Sequence, residues 1–183
     1  MRLLVVFIAL FIGSCVADES SAPNCPDGKC DYKTSHDCGN GECSFSYYAR
    51  ASLRKSKKGN SVSTSLEPGT KQVLELSYTR SVRPDVAEDE LTLYLRIELP
   101  ASIKNFDWRE DVLSNQEIYY SRQHSYNNAS ARKPTSGFIK GEKTNNNSWK
   151  VEADLFVSYF ENKGSKPIRL EFSEVFEPST IVH

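Results

Sequence analysis

The sequence predicts an all-β fold, an antiparallel two-sheet β-sandwich of about eight strands that follows a short disulfide-stapled segment. Apolar and polar residues alternate in most segments after residue 43, and this period of two is typical of half-buried strands. Turn residues separate the segments, and no strand–helix–strand alternation is present. This spacing favours a sandwich, with a barrel as the alternative.

Residues 1–17 have the pattern of a secretory signal peptide. Arg2 supplies a positive charge, Leu3–Ile12 is an unbroken apolar run, and small residues precede a cut after Ala17. The apolar run is too short to span a bilayer comfortably, and no later stretch approaches its length. We therefore expect a secreted, extracellular protein without a transmembrane segment.

Residues 18–43 form a polar lead and a cysteine-rich segment with two C-x-x-G-x-C motifs. Disulfides persist in the oxidising environment that secretion implies, and no histidine lies at zinc-ligand spacing, so we expect disulfides and no metal. The cysteines concerned are Cys25, Cys30, Cys38 and Cys43. Sequence alone does not choose the pairing. The internal repeat favours two local bridges, Cys25–Cys30 and Cys38–Cys43, and the main rival is the interleaved pairing, Cys25–Cys38 and Cys30–Cys43.

Residues 44–183 hold the predicted sandwich domain. The predicted strands span residues 44–54, 62–66, 74–78, 91–99, 117–126, 138–139, 149–159 and 168–172. Pro100 ends the most regular of them, Leu91–Leu99, because proline cannot donate to a strand ladder. Ala101–Gln116 breaks the alternation, and we expect one or two helical turns there that cap a sheet edge.

No motif in the chain supports catalysis. The sequence contains no G-x-S-x-G, no phosphate-binding loop and no dinucleotide motif. His124 is the single histidine between the cysteine segment and the terminal His183, so the sequence gives no basis for a catalytic triad. We therefore expect a non-enzymatic protein with no cofactor. The formal net charge of −1 does not favour a nucleic-acid partner.

Several aromatic residues fall out of phase with the apolar sets of their strands. In a single-faced sheet they would point outward and form a candidate binding surface for sugar or protein. Alternatively, a second layer or the Ala101–Gln116 segment covers them. These residues are Tyr48, Tyr94, Phe156 and Phe160.

A basic run precedes the turn that follows the first predicted strand. Such short clusters of lysine and arginine are typical of heparin-binding or other anionic-surface sites, and solvated charge at a hairpin tip is the alternative. The cluster consists of Arg54, Lys55, Lys57 and Lys58.

Two N-glycosylation sequons begin at Asn128 and Asn146, and both lie in predicted loops. Because secretion would expose the chain to the glycosylation enzymes, we expect at least one sequon to be occupied.

The signal peptide, the C-x-x-G-x-C doublet ending in Cys-Gly-Asn-Gly-Glu-Cys-Ser-Phe-Ser, and the single β-domain resemble a family of small secreted nematode proteins. Some members of that family are associated with the uterine lumen and egg laying, and the family offers no catalytic residues. The resemblance implies a luminal or extracellular interaction protein with a reproductive role, in egg retention or egg-laying rate. The alternative is a secreted module that binds carbohydrate or lipid. The expected partner is an extracellular protein or a glycan.

We expect the β-domain to fold without the disulfides of residues 18–43. Fully burying a Leu, Val or Ile side chain contributes about 1.5–3 kcal/mol, so more than a dozen such residues outweigh two short-loop disulfides at roughly 2–3 kcal/mol each. Replacing all four cysteines of residues 18–43 by serine should therefore leave a β-type circular dichroism spectrum and a lower melting temperature. A random-coil spectrum at low temperature would show instead that the disulfides are required for folding.

Overall fold

The computed structural model describes residues 41–80, 91–124, 130–158 and 167–181. The elements are β1 (Gly41–Lys58), β2 (Ser61–Pro68), β3 (Lys71–Arg80), β4 (Leu91–Leu99), β5 (Asn105–Arg109), α1 (Glu110–Leu113), β6 (Ile118–His124), β7 (Ser136–Lys143), β8 (Trp149–Val157) and β9 (Ile168–Pro178). The expected signal peptide lies outside the described residues. So do Cys25, Cys30, Cys38, Asn128 and Phe160, and what the sequence predicts for them stays a prediction.

The all-β prediction is confirmed, but the two-sheet antiparallel sandwich is wrong. The strands form one mixed, curled sheet in the order β5-β7-β8-β9-β1-β3-β4-β6, with β2 added to β1. The two groups of strands merge because β1 pairs in parallel with β9 at Ser46 with Glu177 and at Tyr47 with Pro178. All the other strand pairs are antiparallel. The result is a half-barrel rather than two stacked sheets.

We call β1, β3, β4 and β6 the first half of the sheet and β5, β7, β8 and β9 the second half. The sheet curls so that the inner faces of both halves contribute to one apolar core, which includes Leu74 and Ile97 from the first half and Leu155 from the second. Trp149 is completely buried in it, between Tyr47 and Phe106. The core explains the sequence alternation, most clearly in β8, where every second residue is buried.

A polar contact also joins the two halves. The hydroxyl of Tyr47 donates to Oε1 of Gln72 at 2.6 Å and accepts from Nζ of Lys143, in the second half, at 2.8 Å. The amide NH2 of Gln72 lies within hydrogen-bond distance of three carbonyls of the β4–β5 connection, those of Pro100, Ala101 and Ile103, which its two N–H groups share. Gln72 is almost completely buried, and these bonds satisfy its amide where water cannot reach.

Strand β1 bends at a bulge between Tyr48 and Ala51, where its register with β3 shifts. Beyond the bulge, residues 51–58 pair with β2, and we call this hairpin the arm. The arm lies on the outer face of the first half. Ala51 and Leu53 from the arm pack there with Val73 and Tyr119 in a second, smaller apolar cluster. The first half is therefore covered on both faces.

A buried ion pair lies beneath the arm. Nε of Arg96 is 2.6 Å from Oε2 of Glu75, and both side chains are about nine-tenths buried. The same guanidinium donates to the carbonyl and, at 3.2 Å, to the hydroxyl of Thr64 in β2. Nearby, the backbone N–H of Leu53 donates to the buried carboxylate of Glu98 at 2.6 Å. Polar side chains on the outer face of the first half thus fix the position of the arm against the sheet.

The Ala101–Gln116 segment differs from its prediction in part. The single turn α1 is the helix that was expected, but Asn105–Arg109 form an edge strand, β5, paired with β7. Phe106 and Trp108 point to the inner face and stack at 4.5 Å between ring centroids. Two alternating apolar residues give too short a pattern to distinguish a strand from a helical turn.

Breaking the ion pair beneath the arm should cost more than breaking an exposed one. Arg96→Met leaves the carboxylate of Glu75 buried without a positively charged partner, so we expect about 3–5 kcal/mol of lost stability. The control is Lys140→Met, which removes the exposed partner of Glu152 and should cost less than about 1 kcal/mol. Urea unfolding measures both.

A double variant, Glu75→Leu with Arg96→Met, separates the lost charge from the lost packing. It should recover much of the stability, because no unpaired charge then remains buried. If the double variant is less stable than Arg96→Met alone, the Arg96 side chain acts through packing instead.

Candidate functional site

The structure separates the aromatic residues that the sequence groups as a surface. Tyr48 and Tyr94 both lie half-buried on the first half. Tyr48 packs against the second apolar cluster, and its hydroxyl is 3.5 Å from the carboxylate of Glu75. The ring of Tyr94 lies 4.3 Å from the guanidinium carbon of Arg96. Tyr48 therefore belongs to the layer between the sheet and the arm, whereas Tyr94 lies beside the buried Arg96.

Phe156 lies on the outer face of the second half, which we call the open face. The outer faces of the two halves differ in burial. In the first half Glu75, Arg96 and Glu98 are buried, whereas on the second half Glu152 and Phe156 remain partly exposed. In the part of the chain that the structure describes, nothing covers the open face as the arm covers the first half.

Phe138 is the residue that the sequence did not single out for this face. Ser136 pairs with Phe156 and Phe138 pairs with Asp154, so the two phenylalanines occupy diagonal positions on the same side of the sheet. Such diagonal neighbours are about 7–8 Å apart. Phe138 and Ile139 are both apolar, so alternation did not reveal which of them points outward. The register resolves this, because Ile139 is buried in the core.

Charged side chains flank both rings. Arg169 binds the two carboxylate oxygens of Asp154 at 2.8 and 2.9 Å, and its guanidinium carbon lies 5.9 Å from the Phe156 ring. Arg109 binds Asp107 in the same bidentate manner at 2.9 and 3.2 Å and lies 5.6 Å from the Phe138 ring. Bidentate pairs hold arginine in a fixed orientation, so the two rings have defined polar borders.

The ion pairs also shift the titration of their carboxylates. A hydrogen bond from Arg169 holds the pKa of Asp154 below its usual 3.8, although partial burial acts against this shift. A hydrogen bond from Arg109 lowers the pKa of Asp107 in the same way. Both carboxylates are therefore charged at neutral pH.

A shallow groove of about 410 Å³ lies next to these pairs. Its charged lining alternates in sign across β5, β7 and β8. The charged residues are Asp107, Lys140, Glu142, Lys150 and Glu152. Such a pattern complements a partner that also carries alternating charges.

Gly137 shapes the start of β7 beside Phe138. Its φ is +106°, and a Cβ there would lie 2.0 Å from the carbonyl oxygen of Asp154. Only glycine fits this close approach of the two strands. The close approach at Gly137 brings β7 near enough to β8 for the N–H of Thr135 to donate to the carbonyl of Phe156 at 2.7 Å.

The Asn146 sequon lies in the turn between β7 and β8. Asn146 is exposed, whereas Ser148 is 4% exposed and donates to Oε2 of Glu177 at 2.8 Å.

Of the predicted cysteines, the structure describes Cys43, which lies in β1 and packs against the core. The predicted glycosylation and disulfide pairing stay predictions.

Within residues 41–80, 91–124, 130–158 and 167–181, no three His, Cys, Asp or Glu side chains are grouped so that they could hold a metal ion. In the same ranges, no helix has the length and apolar character needed to cross a bilayer.

No protein-family model, curated protein or solved structure matches the chain. The geometry of the open face is therefore the basis on which function is argued.

The Asp154–Arg169 pair gives a direct test of this geometry. We expect Arg169→Gln to raise the pKa of Asp154 towards its usual value, because the bidentate donor is gone, and to leave Asp107 unchanged. Carboxyl-carbon NMR during a pH titration measures both groups. Because the folded-state pKa is depressed, the pair stabilises the fold above the unfolded pKa, and this contribution disappears as the pH falls through the folded pKa. An unchanged Asp154 titration in the variant would contradict the pairing.

Proposed function

We propose that the protein is a secreted, non-enzymatic interaction protein that binds an extracellular protein partner through the open face. The observation that carries this proposal is the pair Phe138 and Phe156, two partly exposed rings on a sheet face that, within the described part of the chain, has no second layer like the one covering the first half. Two large apolar rings on an uncovered face are costly to leave in water and are typical of a recognition surface.

The surroundings of the rings favour a protein partner. Protein interfaces combine a central aromatic cluster, arginine, and a polar rim. The open face has this arrangement, with Arg109 and Arg169 beside the rings and the alternating charges of the groove farther out. Asp107 and Asp154 already pair with these arginines, so a protein that binds the open face need not neutralise their charge. The reproductive setting implied by the resemblance, the uterine lumen and the control of egg laying, stays a prediction.

The test is a comparative affinity capture from extracellular fluid of the source tissue. The baits are the unaltered protein, Phe138→Ser/Phe156→Ser, and Val112→Ser. Val112 is 47% exposed in α1, outside the open face, and serves as the control for loss of an exposed apolar side chain. Each bait is first shown to have the same cooperative melting transition. We expect the double variant to lose at least about tenfold in affinity, because central aromatic residues dominate interface energetics.

The outcomes separate the class of partner from the location of the surface. A protease-sensitive partner recovered by the unaltered protein and by Val112→Ser, but not by the double variant, supports the proposal. Equal recovery by all three baits overturns the assignment to the open face. Recovery that resists protease and disappears after glycosidase treatment overturns the protein partner in favour of a glycan, the alternative predicted from sequence.

A further inference from the structure

The outer surface of the arm carries an unusual excess of positive charge. The sequence has no acidic residue between Glu42 and Glu67, although the whole chain has nearly equal numbers of acidic and basic residues. The β1–β2 register shows which side chains point away from the sheet. They are Ser52, Arg54, Ser56 and Lys58 on β1, opposite Glu67, Ser65, Ser63 and Ser61 on β2. This outward row, which we call the basic row, is polar throughout.

The structure divides the basic cluster that the sequence groups together. Lys55 faces the sheet, where it forms an ion pair with Glu117 and lies 5.6 Å from the ring centre of Tyr119. This hydrogen bond from Lys55 to Glu117 raises the pKa of Lys55, despite partial burial. Arg54, Lys57 and Lys58 are exposed and have no carboxylate partner in the part of the chain that the structure describes. Lys55 thus anchors the arm, and the other three cations are available to a ligand.

We propose that the basic row binds a linear sulfated polysaccharide. Arg54 and Lys58 are four residues apart on one face of a strand, which places them about 13 Å apart along a straight row. Lys57 extends the positive charge at the tip of the hairpin. Serine hydroxyls line the strip between the cations and can donate to sulfate oxygens. An extended two-stranded ribbon with cations at intervals suits an extended polyanion, and the attraction acts over the whole row.

The composition of the row argues against a membrane surface. Apolar side chains that insert below the headgroups strengthen peripheral membrane binding beyond what positive charge alone gives. The outward row contains no apolar side chain, because the apolar residues of the arm, Leu53, Val62 and Leu66, pack towards the sheet. The basic row is also separate from the open face, since it belongs to the arm and the open face belongs to the second half. This site therefore goes beyond the proposed protein-binding function and does not depend on Phe138 or Phe156.

The experiment measures binding of the full secreted chain to heparin fragments over a range of salt concentrations. The test variant is Arg54→Ser/Lys58→Ser. The matched control, Lys104→Ser/Arg132→Ser, removes the same charge from two exposed cationic residues outside the arm. We expect the test variant to lose at least about tenfold in affinity and to reduce the slope of log K against log salt by about two, one for each lost contact, as for other linear polyanions. The control should retain the affinity and slope of the unaltered protein.

Two further probes distinguish the sources of negative charge. Hyaluronan, which has carboxylates but no sulfate, and vesicles containing phosphatidylserine are measured under the same conditions. Binding to heparin that exceeds both, and that only the test variant loses, supports the proposal. Equal losses in the two variants, tighter binding to vesicles, or no binding to heparin at low salt overturns it.

Discussion

Strand β1 pairs with β3 along its first part, touches β9 along its opposite edge, and bends at the bulge after Tyr48 to pair with β2. This strand therefore connects the two halves of the sheet and also begins the arm that covers one of them. The Tyr47–Gln72–Lys143 contact lies at the same point and satisfies polar groups where the halves meet. The half-barrel, the covered first half and the open second half all depend on this one bent strand.

The distribution of polar side chains follows from that asymmetry. Under the arm, Arg96 and Glu75 are removed from water and are acceptable there because they pair with each other and Arg96 also donates to Thr64. On the open face, Asp154 and Arg169 form a bidentate pair that water partly reaches, so it orients side chains more than it stabilises the fold. Similar residue types thus serve different roles, and their burial decides which role applies.

Local periodicity predicted nearly all of the strands, because each one buries alternate residues. Sequence could not predict how the strands assemble, since the joining contact links β1 with the last strand through only two residue pairs. It also could not predict which outward aromatics are covered, because Tyr48 packs in the cluster beneath an arm whose direction depends on a bulge. Phe138 was missed for a local reason, since the adjacent Ile139 is equally apolar and the phase of a short strand is ambiguous.

The arm has two faces with opposite physical requirements. Its inner face must match a fixed set of partners, and Leu53, Lys55 and Thr64 contact Glu98, Glu117 and Arg96 respectively. Its outer face contacts nothing in the described part of the chain, so its charge is not constrained by packing. Because the inner contacts hold the backbone of the arm against the sheet, the strand positions of the basic row are fixed before any ligand arrives, and binding need not order that backbone. A positively charged surface can therefore exist on a nearly neutral protein without destabilising it, since the opposite charges are placed elsewhere on the sheet.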